Sequence, residues 1–456
     1  MKMMANPILL FFILFFAQTV YSDSDDHLSI TLHPHPSSIP FYDVSQLISR
    51  DKSRLDYLSN LAVVPTTYHR HHARMAGKGG KARKAGKRGS SKKSYAPIAS
   101  GRQMLHSPNY VVRVSFGTPA QSLLVALDTS NDAAWVPCAG CVGCVTATAS
   151  FASAKSTTFS PISCSDVRCK QVPNPVCDRL SNSCSFNMSY GQSSFEAVVS
   201  KETLRIAGDE FPGYAMGCIK KATHNSLPPQ GLLGFGRGAL SFLSQTKSTY
   251  NSVFSYCLPS SKSGNFSGTL RLGPKHQPIH IKYTPLLSNP RRPSLYYVNM
   301  IGVRVGRHVV DIPPRSLMFN SATGSGTIID SGTMFTRLVE PAYIAVRDAF
   351  RRRIHGKSVS SLGGFDTCYE GPISPPTITL MFTRMNVTLP LDNMLIHSTA
   401  GNTTCLAMAA SPTDPNNVNG VLNVIANMQQ QNHRVVFDVP NKRIGFAREL
   451  CTVSAL

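Results

Sequence analysis

Residues 125–138 read VALDTSNDAAWVPC, a small apolar run that delivers one acid, Asp128, into a tight polar turn. Taken alone the turn is ordinary, because Asp, Thr, Ser and Asn side chains bond their own backbone in any surface turn. Its meaning comes from an echo further along the chain. Leu127-Asp128-Thr129-Ser130 recurs as Ile329-Asp330-Ser331-Gly332, again after an apolar strand and again with a hydroxyl residue directly after the acid. About a hundred residues after each acid comes a second apolar segment, Gly231-Leu-Leu-Gly-Phe-Gly236 in one half and Val424-Ile425-Ala426-Asn427 in the other. Such self-similarity reports duplicated lobes built on one plan, with a linker around Pro285 to Pro293.

Two carboxylates on equivalent turns of related lobes would meet across a pseudo-twofold axis. Like charges held close do not both ionise easily, so one proton is shared. The ionised member then acts as general base on a water while the protonated one polarises a carbonyl, and a peptide bond is hydrolysed without a covalent intermediate. Thr129 and Ser331 are placed to bond into the opposite lobe and hold the acids in plane.

The rest of the chain sets the context. It has 456 residues, room for two lobes of ordinary domain size. Met1-Lys2-Met3-Met4 followed by the apolar run Pro7–Ala17 and Val20-Tyr21-Ser22 reads as a secretory signal peptide over residues 1–22. The run is too short to span a bilayer, which takes roughly 18 or more apolar residues, so no membrane association is expected after its removal. Secretion makes the twelve cysteines six expected disulfides. Cys138-x2-Cys141-x2-Cys144 superficially resembles a zinc site, but no His lies at ligand spacing, and neither metal nor cofactor is expected. Four N-glycosylation sequons, at Asn187, Asn265, Asn386 and Asn402, agree with the secretory route.

The formal charge is +22, and half of it lies between Tyr68 and Arg102, where eleven Lys or Arg stand without an acid. That Gly/Ser/Lys-rich stretch cannot bury enough apolar surface to order itself. After a signal peptide it reads as part of a basic prosegment, residues 23–102, rather than a nucleic-acid arm. Basic residues from Arg113 onward are suited to contact with a polyanionic polysaccharide. From about Asn109 the texture is of short strands, among them Tyr110–Phe116, Leu123–Leu127, Leu295–Ile301, Thr327–Ile329, Thr377–Phe382 and Arg434–Phe437. The best helical pattern is Pro341–Arg351. Gly234-Phe-Gly-Arg-Gly238 lacks the spacing of a phosphate-binding loop and reads as a lobe-crossing turn.

From about Asn109 to Cys451 the sequence resembles the pepsin-type aspartic proteases, and more narrowly their plant nepenthesin- and nucellin-like branch. The resemblance rests on LDTSNDAAW and IIDSGT, on Gly231-Leu-Leu-Gly234, and on Phe254-Ser-Tyr-Cys-Leu258. It rests also on Ser189-Tyr190-Gly191 before ETL, the cysteine-rich insert Cys138 to Cys184, and Asn427-Met-Gln-Gln-Gln-Asn432. It implies an all-β, bilobal double β-barrel with a central cleft, an N-terminal lobe over 103–288 and a C-terminal lobe over 289–456. Asp128 and Asp330 would be the catalytic pair, supported by Thr129, Ser130, Ser331, Gly332 and Thr333. Tyr190 and Gly191 would belong to a flap over the substrate, with Trp135 holding the tyrosine. Transferred by order, the disulfides would be Cys138–Cys141, Cys144–Cys218, Cys164–Cys184, Cys169–Cys177, Cys257–Cys451 and Cys368–Cys405. The prosegment would cover the cleft until removed.

Five positions depart from the family pattern. Ser130 stands for Gly, Asn131 for a small hydroxyl residue, and Ala426 for Gly, while near the flap Ala197 replaces Gly and Gln192 an acid. Ser and Ala are the smallest replacements available, so the dyad is expected to form, with an altered proton affinity. The expected function is a secreted, monomeric endopeptidase of the plant cell-wall space acting on proteins or peptides at acidic pH. The alternative is a binding protein on the same scaffold, such as the cereal xylanase inhibitors, which have lost catalytic competence.

Overall fold

Among the described residues one sheet of twenty strands and two of four carry the fold, with some strands alternating buried and exposed side chains, as Ser193–Ile206 does, and others, such as Val253–Cys257 and His433–Asp438, buried throughout. The computed structural model describes residues 49–58 except 56, 94–223, 227–278, 280–290, 292–398, 402–412 and 421–451. The signal peptide and most of the expected prosegment lie outside these residues. Among the described residues no helix is long and apolar enough to cross a membrane.

The first lobe is organised by Tyr110–Phe116 and Gln121–Asp128, paired antiparallel from Val111↔Ala126 to Phe116↔Gln121. Two long strands, Ser193–Ile206 and Asp209–Ala222, fold over them. Tyr95–Ser100 also belongs to this sheet, pairing with both Tyr110–Phe116 and Gly268–Leu272 and burying Ala96 and Ile98. The body therefore begins about Tyr95, ahead of the prosegment end expected at residue 102. Pro97 stands at an exposed position of that short strand, and a proline inside a run counts against a strand in a pattern reading.

The second lobe repeats the plan with Gly326–Ile329, Thr336–Leu338, Met408–Ala410 and Leu422–Ile425, flanked by two four-stranded sheets. Its longest helix, Glu340–Arg351, buries Ala342, Tyr343, Val346, Ala349 and Phe350, the one-face spacing of an amphipathic helix, with Pro341 in its first turn. The strands expected from sequence all form, within a residue or two at their ends or, at Leu295–Ile301, as two shorter strands, Tyr297–Val298 and Met300–Val305.

The lobes are not separated cleanly at residue 288. After the second lobe is complete the chain returns, and His433–Asp438 pairs with Val253–Cys257 while Arg443–Arg448 pairs with Lys282–Leu287. Cys257–Cys451 joins the same region.

Six disulfides form, and four expected pairs are corrected. The observed bonds are Cys138–Cys218, Cys141–Cys144, Cys164–Cys177 and Cys169–Cys184, while Cys257–Cys451 and Cys368–Cys405 stand as expected. Cys138 and Cys141 lie on one strand, Trp135–Val142, where three residues of extended chain span roughly 10 Å, too far for a bridge. Cys138 instead reaches the neighbouring parallel strand, and Cys141 closes on Cys144 in the turn beyond. In the insert, Cys177 and Cys184 face each other across a hairpin. Burial sorts them: the short helix Val167–Gln171 carries Cys169 inward to buried Cys184, leaving exposed Cys177 for Cys164.

Candidate active site

Each acid is delivered by a strand and pinned by a second strand entering parallel to it. Gln121–Asp128 runs beside Leu232–Gly234 with Gly234 level with Asp128, and Phe235 N–H donates to the Asp128 carbonyl at 2.7 Å. Gly326–Ile329 runs beside Leu422–Ile425, and Asp330 N–H donates to the Ile425 carbonyl at 3.1 Å. Gly234 and Ala426 are thus equivalent positions. At Gly234 a Cβ would lie 2.5 Å from the Ala133 carbonyl oxygen, whereas the second lobe holds the Ala426 methyl fully buried. The run Gly234–Gly238 wraps the first acid turn, and Gly238 N–H donates to half-buried Asp132 at 2.7 Å.

The turns cross-bond as near mirror images. Thr129 N–H donates to Ser331 Oγ at 3.1 Å and Ser331 N–H to Thr129 Oγ1 at 3.0 Å. Ser331 Oγ donates on to the Leu127 carbonyl at 2.9 Å, and Thr129 Oγ1 to the Ile329 carbonyl at 3.5 Å. Asp128 and Asp330 are both completely buried. Ser130 N–H donates to Asp128 Oδ1 at 2.8 Å and Gly332 N–H to Asp330 Oδ1 at 3.0 Å.

The departures from the family pattern break the symmetry. Asn131 Nδ2 donates to Asp128 Oδ2 at 3.3 Å, where its counterpart Thr333 Oγ1 donates to Asp330 Oδ2 at 2.5 Å. Ser130 Oγ crosses the lobe boundary and donates to Asp330 Oδ1 at 2.6 Å. Asp330 thus takes two close hydroxyls and Asp128 a longer amide contact. Burial pushes the Asp128 carboxyl above the ordinary carboxylate range, the neighbouring Asp330 pushes it further, and Arg54 opposes both.

Amides support the second turn from behind. Asn427 Nδ2 donates to the Ser331 carbonyl and Gln430 Nε2 to the Asp330 carbonyl, both at 3.0 Å. Tyr256 hydroxyl donates to Gln430 Oε1, which ties Phe254–Leu258 to Asn427–Asn432. Above the acids, Ser183–Tyr190 and Ser193–Ile206 form a hairpin whose turn is Gly191-Gln192, with Gly191 at φ +59°. Trp135 packs edge-on against Tyr190 with ring centroids 5.5 Å apart. Asn109 Nδ2 donates to Tyr190 hydroxyl at 3.1 Å and to the Gly332 carbonyl at 3.4 Å, so it bridges flap and second acid turn. Ala197 is buried in this hairpin.

A helix to which residues 49–55, 57 and 58 belong occupies the cleft. Its buried face is Asp51, Arg54, Leu55 and Leu58, the i, i+3, i+4, i+7 stripe. Leu55 and Leu58 pack with Leu295, Tyr297, Ile328, Leu422 and Val424. Arg54 Nη2 lies 2.7 and 2.8 Å from the two Asp128 carboxylate oxygens and 3.8 Å from Asp330 Oδ2. Its guanidinium sits 4.8 Å from the Tyr190 ring centroid. Burial alone would lower the Arg54 pKa, but the fields of Asp128, Tyr190 and Asp330 outweigh it and hold the side chain charged. At the flap tip, Gln192 Nε2 donates to Ser49 Oγ at 2.9 Å.

A sequence reading that places the prosegment over the cleft does not identify Arg54, Asp51 or Asn109. The only signal for the first two was the one-face spacing of Asp51, Arg54, Leu55 and Leu58 in a ten-residue stretch. The four sequon asparagines are all exposed. Among the described residues no three His, Cys, Asp or Glu side chains are grouped to hold a metal.

Comparison with known proteins fits this geometry. Family models described as xylanase inhibitor N-terminal and C-terminal match residues 110–274 and 295–448. The chain is 49% identical to Aspartyl protease AED3 of Arabidopsis thaliana over 91% of its own length and 88% of the relative's. It is 41% identical to Aspartyl protease 25 of Oryza sativa subsp. japonica, over 93% and 94%. With Aspartic proteinase nepenthesin-1 of Nepenthes gracilis the identity is 33%, over 76% and 78%. Among solved structures, that of edgp superposes with a TM-score of 0.63 at 21% identity, covering 80% of this chain and 97% of that one. Basic 7S globulin from soybean superposes at 0.60 and 19%, covering 79% and 97%. These two show a shared fold. With the identity to the curated relatives, they establish that the chain belongs to the pepsin-type aspartic protease family of plants.

Proposed function

We propose that this protein is a secreted aspartic endopeptidase made as a latent precursor. The observation that carries the reading is the pair Asp128 and Asp330, buried, cross-braced by Thr129 and Ser331, and both within reach of one guanidinium nitrogen of Arg54. A cation shared by two carboxylates marks the place where, with the helix withdrawn, a water would lie between them. One carboxylate then takes a proton from that water as it attacks a peptide carbonyl, and the other, protonated, donates to the carbonyl oxygen. Tyr190 and Gly191 on the flap close over the bond and exclude bulk water. One shared proton implies an acidic optimum, which suits the cell-wall space. The signal peptide, the six disulfides and the exposed sequons support that destination, and residual basic charge suits contact with its acidic polysaccharides.

A second reading, a binding protein on this scaffold, draws on the family models described as xylanase inhibitor halves and on Asn131 in place of a hydroxyl. The presence of both acids and both bracing hydroxyls favours the enzyme. The decisive assay follows cleavage of a denatured protein across acidic pH, with and without pepstatin, for the wild type and Asp128→Asn. Pepstatin-sensitive cleavage lost in the variant is the expected result. Cleavage that survives Asp128→Asn removes the dyad from the mechanism.

A further inference from the structure

The helix that carries Asp51 and Arg54 makes a second polar contact with the cleft, away from the dyad, and its partners belong to the second lobe. Asp51 Oδ1 accepts from Met334 N–H at 2.7 Å, and Asp51 Oδ2 accepts from Phe335 N–H at 3.4 Å. Arg337 Nε lies 3.5 Å from Asp51 Oδ2. The Arg337 side chain is 6% exposed, and among the described residues Asp51 is the only carboxylate within 4 Å of it. It is anchored by Nη1, which donates to the Ala410 carbonyl at 3.3 Å, while Nε and Nη2 make no hydrogen bond. Its strand, Thr336–Leu338, is held between Met408–Ala410 and Leu422–Ile425, so the guanidinium is built into the sheet.

Withdrawal of the helix would leave a cation and two backbone donors facing an emptied cleft. A buried cation and orphaned N–H groups are costly without an anion or acceptor. A cavity lined by Asp51, Arg54, Tyr190, Gly191, Gly332 and Met334 runs between the helix, the flap and the second acid turn, so the Asp51 and Arg54 contacts lie along one groove. We propose that Arg337, with the Met334 and Phe335 N–H groups, forms a substrate subsite that selects an acidic side chain, Asp or Glu, and that Asp51 occupies this subsite in the precursor. The inference rests on the cleft being a substrate cleft, as proposed above.

The carboxyl fits in either protonation state. Ionised, it offsets the Arg337 charge; protonated, its carbonyl oxygen still accepts from Met334. A Leu at this place leaves all three donors unpaired, and a Lys adds repulsion. Asp51 precedes Arg54 by three helical residues, about 4.5 Å along the axis. In an extended substrate that distance is one to two residues, at about 3.3 Å each. The acid is therefore read within about two residues of the scissile bond.

The test uses a neutral host peptide with one position at a time made Glu, Leu or Lys, up to three residues either side of the scissile bond. Cleavage by the matured protein is measured at about pH 5.5, above the ordinary Glu pKa of about 4.3. A parallel arm measures affinity of the same peptides, fluorescein-labelled, for the full chain carrying Asp51→Asn and Arg54→Ala, which needs neither maturation nor turnover. One position is expected to favour Glu over Lys by about tenfold or more in kcat/KM and in affinity. Arg337→Gln is expected to bring that ratio near one, and Arg337→Lys to keep part of it. A flat profile in both arms, or an unchanged ratio in a folded Arg337→Gln, overturns the subsite. If Arg337→Gln does not fold, the wild-type profile and Arg337→Lys decide. A Glu preference in affinity without cleavage keeps the subsite and defeats the protease reading; cleavage with no preference does the reverse.

Discussion

Ser130 Oγ donates to Asp330 Oδ1 at 2.6 Å, so a residue standing where the family pattern has glycine reaches across the lobe boundary to brace the opposite acid. A hydrogen bond to an ionised carboxylate is worth about 1.5 kcal/mol or more, roughly one pKa unit. Ser130→Ala removes a donor to the charged form, so the dyad holds its proton to higher pH. The acidic limb of the pH profile of kcat/KM is expected to move up by about one unit, with fold and Tm nearly unchanged. A limb that stays in place means the contact does not tune the dyad.

Arg54 is the cation on which the proposed latency depends. Removing one member of a buried ion pair costs about 3–5 kcal/mol. The full chain with Arg54→Ala is therefore expected to bind immobilised pepstatin without being processed, while the unprocessed wild type at neutral pH is not retained. Equal retention of the two would show that the helix is held by its leucines alone.

Two groups give docking of the helix opposite pH dependences. Burial raises the Asp51 carboxyl to about 6, against the lowering pull of Arg337 and the Met334 and Phe335 N–H groups. The docked state thus binds this proton more tightly than the released helix does, and the Asp51 contribution favours docking increasingly as pH falls from about 6 toward 4. The Arg54 pair runs the other way, since protonating the dyad removes the anion it needs. In Asp51→Asn only the second effect remains. Release on acidification is then expected to be steeper between pH 6 and 4 than in the wild type. Trp135, the only tryptophan in the chain, lies under the flap beside Tyr190 and reports the change by fluorescence. Identical slopes would contradict the assignment.

Glycine is required at one acid turn in a way that has a sharp test. A Cβ added at Gly332 would lie 2.7 Å from the carboxylate atoms of Asp128. Gly332→Ala must push the acids apart, at a cost of about 1–3 kcal/mol, and is expected to lower kcat by about a hundredfold or more in a protein that still folds. Ala426→Gly, which only removes a buried methyl worth about 0.8 kcal/mol, is expected to lower Tm slightly and keep activity. Similar kcat losses in both variants would remove the steric argument.

The acid turns and the double-lobed β fold were legible because the chemistry repeats: Asp128 and Asp330 each follow an apolar strand and precede a hydroxyl. Helix Glu340–Arg351 was legible from its one-face periodicity. Arg54 was not, because in SRDKSRLDYL it is one basic residue among several, and its partner lies 74 residues away. The pairing of Cys164 and Cys169 was hidden for a different reason. Their partners, Cys177 and Cys184, sit opposite each other, so only burial distinguishes them. Ser130 was visible as a departure, but its direction across the lobes depends on a backbone that a string of letters does not contain.

The return of the last two strands to the first lobe makes the molecule a sewn ring rather than two beads on a string. A protease that nicked the exposed turn at Arg384 would cut between Cys368 and Cys405, and also between Cys257 and Cys451. The fragments would stay stitched by two covalent seams and by the shared sheet. Such a nick would appear as two bands on a reducing gel and as one on a non-reducing gel, so a single cut in the chain would not by itself part the two halves.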